Sequence, residues 1–276
     1  MKKFHLLFAT LALTLLGQFA FATETQAQGT IAAEESSIHI GHGTKIKSKL
    51  IDLNLAELKS TIKISYPQII GTKLSPAAKQ FNKLMLSMVT DEMNQFTKYV
   101  KLDLVHMQTL PADVQNNSLN IDYDIDVIHP NHNTVIMVRF DTEGMQAGRA
   151  HPYHNRHVVN YDLSQGKVLA LADLFKPKTN FLKLIAEYSR KQLLQKSSDP
   201  IIAQMVKQGT KIEAKNFKNW NIQNDTLLFT FDEYQVAPYV NGPQEVEIPY
   251  AALKNVIAPN SVIHSCVADP KSCGVS

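Results

Sequence analysis

Cysteine is almost missing from this chain. Its two cysteines, Cys266 and Cys273, both lie close to the C-terminus. That excludes a disulfide-dense scaffold, and two thiols without further ligands do not make a zinc site. A dominant charge sign is missing too. Lys and Arg number 28 against 25 Asp and Glu, a formal charge of +3, and no basic run stands out. This excludes nucleic acid and a strongly anionic surface as the obvious partner. After the first 22 residues no apolar run approaches the roughly 20 residues that a membrane helix requires. The short catalytic signatures are also missing: H-E-x-x-H, the G-x-S-x-G elbow, the P-loop and G-x-G-x-x-G. Ser60 and Lys63 match S-x-x-K and Ser118 and Asn120 match S-x-N. No K-T-G accompanies them, and Ser60 enters a strand rather than opening a helix.

What is present begins with an export signal. Lys2 and Lys3 form a positive start, Leu6 to Leu16 an apolar stretch, and Ala20-Phe21-Ala22 an A-x-A cleavage site. Residues 1–22 therefore read as a cleavable signal peptide, and the product is expected to be periplasmic or secreted, with no membrane span after cleavage. In an oxidising compartment Cys266 and Cys273 are expected to form a disulfide that clips the tail at 259–276. Residues 23–45, small and polar in their first half, read as a flexible leader.

Ile62, Ile64 and Tyr66 alternate toward a strand ending at Pro67. Ser75-Pro76 is a helix start, and Phe81, Leu84, Met85 and Met88 carry the apolar face of a helix running to about Tyr99. Leu119 to Val127 alternates cleanly, with Asn120, Asp122, Asp124 and Asp126 facing away from the apolar set. We read that carboxylate row as a solvated face, since the glycine and glutamate of a calcium loop are not at the required positions. Thr134 to Phe140 returns as a second strand, and Val158 to Asp162 is another. Helices follow over 179–196 and from Asp199-Pro200 to Gly209. Strands then run from Thr226 to Phe231 and from Glu245 to Pro249. Strand groups with inserted helices predict α+β, mainly antiparallel sheets in two small packed subdomains, 46–145 and 146–258.

The run from His151 to His157 places His151, His154 and His157 three residues apart. Imidazole suggests a metal, but i and i+3 on a strand face opposite sides and Pro152 opposes a helix. We read them as loop histidines and expect no cofactor, keeping metal binding as the weaker alternative.

An ordered set of short motifs completes the reading. Gly148-Arg149-Ala150-His151-Pro152 precedes Val159-Asn160-Tyr161-Asp162-Leu163 and Gly166-Lys167-Val168-Leu169. Leu171-Ala172-Asp173-Leu174-Phe175, Trp220-Asn221-Ile222, Tyr234-Gln235-Val236-Ala237-Pro238-Tyr239 and Val246-Glu247-Ile248-Pro249 follow. This resembles the C-terminal extracellular domain of the RsiV family, anti-sigma factors that sense lysozyme. Residues from Ile62 to about Gly144 resemble its companion N-terminal domain, also found ahead of the catalytic domain in PdaC-type deacetylases. The resemblance implies a non-catalytic envelope protein that binds a lysozyme-like protein or peptidoglycan. The turn residues implied in contact are Arg149, His151, Tyr153, Tyr161, Tyr234 and Tyr239. The alternatives are a peptidoglycan-modifying enzyme, metal-assisted through the histidine run, and a structural accessory of an envelope complex.

Overall fold

The strands of the chain gather into two sheets with helices between them. The structure, a computed structural model, describes residues 2–3, 37–41, 43–130, 133–269 and 273. The signal-peptide reading lies outside these residues except for Lys2–Lys3. The strands are β1 (Lys2–Lys3), β2 (Ile38–Gly41), β3 (Thr44–Leu55), β4 (Ser60–Ile70), β5 (Asn117–Ile128), β6 (Val135–Met145), β7 (Tyr153–Asp162) and β8 (Lys167–Val168). They form one sheet in the order β2-β3-β4-β5-β6-β7-β8, with β1 on β5. A second sheet orders β11 (Gln244–Pro249), β10 (Thr226–Phe231) and β9 (Trp220–Ile222). The helices are α1 (Pro76–Met107), α2 (Phe181–Gln195), α3 (Pro200–Gly209), α4 (Tyr250–Leu253) and α5 (His264–Ala268). Pairing is antiparallel except between β4 and β5, which run parallel over Ser60–Ile64 and Asn117–Ile121 because α1 carries the chain across. The fold class is the α+β arrangement the sequence predicts. Among the described residues no helix is long and apolar enough to cross a membrane.

Alternation divides the large sheet into two faces, each with its own core. Ile62, Ile64, Ile121, Ile125, Val138 and Phe140 pack against Phe81, Met85 and Val89 of α1. Ile128, Val135 and Met137 point the other way, onto Trp220, Phe229, Ile185 and Val206. Ser75 caps α1 as expected, its hydroxyl accepting the Ala78 amide at 3.1 Å. Asp199 does the same for α3, accepting the Ile201 amide at 2.7 Å.

Several expectations change. The leader does not extend to residue 45, because Ile38–Gly41 is a strand paired with β3. β3 has no clean period because its outer half is open to solvent, so only pairing with β4 reveals it. The break at residue 145 falls between β6 and β7, which pair continuously from Val135–Asp162 to Gly144–Tyr153. The molecule therefore divides by sheet face rather than by chain segment. β4 runs through Pro67 to Ile70. Asn82 of α1 bonds both the amide and the carbonyl of Ile69, so that edge carries no partner strand. Pro67, two residues away, turns its missing donor to the same edge. α1 continues past Tyr99 to Met107, burying Val100 and Met107. Cys266 and Cys273 are disulfide-bonded with Cα atoms 5.4 Å apart. Both are buried in the second core, so this part of the tail is core rather than an appendage.

The carboxylate row is not a solvated face. Asp124 is buried and accepts from the Arg139 guanidinium at 2.6 Å, and Asp122 accepts the Ser65 hydroxyl at 2.6 Å. Arg139 reaches Glu245 of β11 at 2.8 Å, joining the two sheets. Arg156 continues the network to Asp141 at 2.7 Å and Glu233 at 3.5 Å. Burial alone would lower the Arg139 pKa, but Asp141, Asp124 and Glu245 together raise it. Asp141 shifts up because burial outweighs the two arginines beside it.

Candidate binding surface

His154 and His157 are not the loop residues that the sequence suggests: pairing with β6 makes Tyr153–Asp162 a strand, so the side chains separate by parity. Tyr153, Asn155 and His157 turn toward α1, and His154 and Arg156 turn to the opposite face. His157 Nε2 lies 3.7 Å from Glu92 of α1, while His154 Nε2 lies 3.1 Å from the Tyr239 hydroxyl. His154 and His157 therefore cannot share one ion.

What the fold does gather is an aromatic cluster. The His151 ring lies 4.7 Å from Tyr239, His154 lies 6.0 Å from it and Tyr234 lies 5.7 Å from it. The His151 Nδ1 is 2.9 Å from the Pro152 carbonyl, an acceptor only, so that nitrogen is the donor. Tyr234 is 61% exposed and adopts φ +64°, a backbone region that costs a bulky residue energy. Val240, next in chain to Tyr239, is 90% exposed. Four rings thus form a surface patch at the junction of the β6–β7 loop with the segment after β10, and the exposed Val240 follows Tyr239 in the chain. Glu143 stands across from His154 in the register and is exposed, adding a negative margin.

The other contact candidates lie elsewhere. Tyr161 is a core residue: it is buried, donates to the Ala77 carbonyl at 2.9 Å and packs edge-on against Phe81 at 5.3 Å. It is thereby removed from the contact set. Tyr153 lies half-buried over Gly144, where a Cβ would overlap its ring, and burial pushes its phenol up to about 12. Arg149 is exposed and donates to the Tyr99 hydroxyl at 2.9 Å, toward α1 rather than Tyr239. Val240 escaped notice in the sequence; its signal was an apolar residue inside the turn Pro238–Pro243. Glu92 gave none, being one acid on a long helix.

Glu92 provides a pH test. Its carboxyl is held below the ordinary value, first by the hydrogen bond with His157 and against the opposing effect of burial. A depressed carboxyl adds stability above its unfolded pKa, near 4.3, and that stability is lost as pH falls through the folded value. Glu92→Gln should therefore narrow the gap in unfolding free energy between about pH 7 and about pH 3. Urea melts at the two pH values measure it, and an unchanged gap rejects the assignment.

Residues 172–251 match the family described as protein of unknown function DUF3298. The matched segment runs from just before Asp173 to α4, and it carries the second sheet, α2, α3 and the Tyr234–Tyr239 loop. The chain is also similar to the peptidoglycan-N-acetylmuramic acid deacetylase PdaC of Bacillus subtilis, 28% identical over 195 residues. That similarity covers 70% of this chain and only 38% of PdaC. Two solved structures share the fold. A DUF3298 family member from Bacteroides fragilis matches with a TM-score of 0.62 and 15% identity, over 82% of this chain and 98% of its own. A DUF3298 family protein from Pseudomonas aeruginosa PAO1 matches with a TM-score of 0.53 and 17% identity, over 77% and 94%. The aromatic cluster thus pairs a loop of the matched segment with the β6–β7 loop and the start of β7 in the large sheet that precedes it.

Proposed function

We propose that this protein is an exported, non-catalytic binding module of the cell envelope, and that the cluster of His151, His154, Tyr234, Tyr239 and Val240 is its contact surface for a lysozyme-like protein. The observation carrying this reading is Tyr234: a large, exposed side chain on a strained backbone, set in ring contact with a second tyrosine. Strain of this kind persists where function requires it, and aromatic side chains on loops are the usual anchors of protein interfaces. Similarity to part of PdaC supports an envelope location. The family resemblance supports the partner class, and the exposed Glu143 beside His154 suits a cationic partner.

Titration of the full chain with lysozyme by calorimetry, together with inhibition of cell-wall lysis, tests the reading. A one-to-one heat is expected, and Tyr239→Ala should weaken it by about 2 kcal/mol or more, as loss of a central anchor does. Neither heat nor inhibition at tens of micromolar would reject lysozyme as the partner.

A further inference from the structure

At the end of the large sheet, on the face opposite α1, lies a second surface with its own lining residues. A cleft of about 520 Å³ opens where β3 and β6 end and β4 and β5 begin. The register places Asn54 beside Thr61, Thr61 beside Ser118 and Ser118 beside Met145, so these residues form one row across the sheet. Its size falls within the few hundred to about 1,000 Å³ of ordinary ligand sites.

The floor of the cleft is fixed. Asn117 donates to the Leu58 carbonyl at 3.2 Å and accepts the Ala147 amide at 2.9 Å, and Ser60 donates to the Leu58 carbonyl at 2.8 Å. The rim is different. The side chains of Asn54, Thr61, Asn116 and Ser118 have no hydrogen-bond partner among the described residues. No carboxylate lines the cleft, and its one cation, Lys59, is bonded to the Gln115 side-chain carbonyl. Convergent amides and hydroxyls on a rigid floor provide donors and acceptors without net charge.

We propose that this cleft is a binding site for an uncharged sugar chain bearing N-acetyl groups. Hydroxyls of such a ligand exchange hydrogen bonds with Thr61 and Ser118. An acetamido group presents one N–H and one C=O, which an asparagine amide matches in both directions, and Met145 offers its apolar side chain to the acetyl methyl. The cleft shares no lining residue with the aromatic cluster.

The test titrates the full chain with chitotetraose while following its backbone amide resonances, with cellotetraose as the matched sugar lacking N-acetyl groups. Chitotetraose should shift the amides of Asn54, Thr61, Asn116 and Ser118, and cellotetraose should bind at least tenfold more weakly. The exposed double variant Asn54→Ala/Asn116→Ala should lower chitotetraose affinity at least tenfold while unfolding at the wild-type denaturant midpoint. Absence of shifts at millimolar sugar overturns the proposal. So do shifts centred on Tyr234 and Tyr239, or an unchanged affinity in the double variant. Equal binding of both sugars overturns recognition of the N-acetyl group. Lysozyme heats do not enter this test, so it fails or succeeds separately from the protein-binding reading.

Discussion

Replacing Arg139 by Met is expected to destabilise the protein by about 3–5 kcal/mol, the usual cost of removing one partner from a buried ion pair. Arg139 is 9% exposed and Asp124 is 4% exposed, so the variant leaves a buried carboxylate beside Asp141 without the guanidinium that pairs them both. It also releases Glu245, loosening the large sheet from β11. The decisive comparison is with the double variant Asp124→Leu/Arg139→Met. Apolar residues in place of both charges should recover most of the loss, since the penalty comes from the unpaired charge rather than from the missing pair. Equilibrium urea unfolding of the two variants measures this. A double variant no more stable than the single one would show that Arg139 acts mainly through Glu245 and Asp141.

Gly209→Ala is expected to be the second most damaging small change. In an exposed helix the substitution would be favourable by up to about 1 kcal/mol. Here a Cβ would overlap the Gln235 carbonyl oxygen and lie 2.7 Å from Val236 Cγ1. The obstacle is backbone, which cannot rotate away, so a cost of about 1–3 kcal/mol from overpacking is expected instead. The consequence reaches function, because Gln235 follows Tyr234. Its side-chain amide also donates to the Gly209 carbonyl at 3.2 Å and the Asn216 carbonyl at 2.9 Å. Displacing Gln235 moves Tyr234 off Tyr239, so Gly209→Ala should weaken the proposed lysozyme binding without replacing a residue of the aromatic cluster. Thermal unfolding and partner titration of the same preparation separate the two effects. Wild-type stability with wild-type binding would refute the packing account.

The site was less legible than the fold, and particular residues show why. Phe81, Met85 and Ser75-Pro76 announced α1 because helix periodicity and capping are local. The alternation of Leu119 to Val127 announced β5 for the same reason. β3 went unread because a strand with one open edge and little burial has no pattern of its own. Asp124 looked solvated because it alternates with apolar residues, yet Arg139 and Glu245, far along the chain, cover that face. The resemblance, through Val159-Asn160-Tyr161-Asp162-Leu163, implies Tyr161 as a contact residue. It is core because strand parity turns it to α1, where Phe81 waits. His151 and Tyr239 are 88 positions apart in sequence, and nothing local to either foretells that their rings meet.

The sequence by itself determined the local elements, the α+β class, the caps of α1 and α3 and a balanced charge. These follow from periodicity, capping and composition, which act over a few residues. Only the tertiary structure decided which face of the large sheet is covered, where the buried charges pair, and which aromatic residues share a surface. Those outcomes depend on residues brought together across the chain by the packing of one sheet on another, and no local pattern encodes that contact.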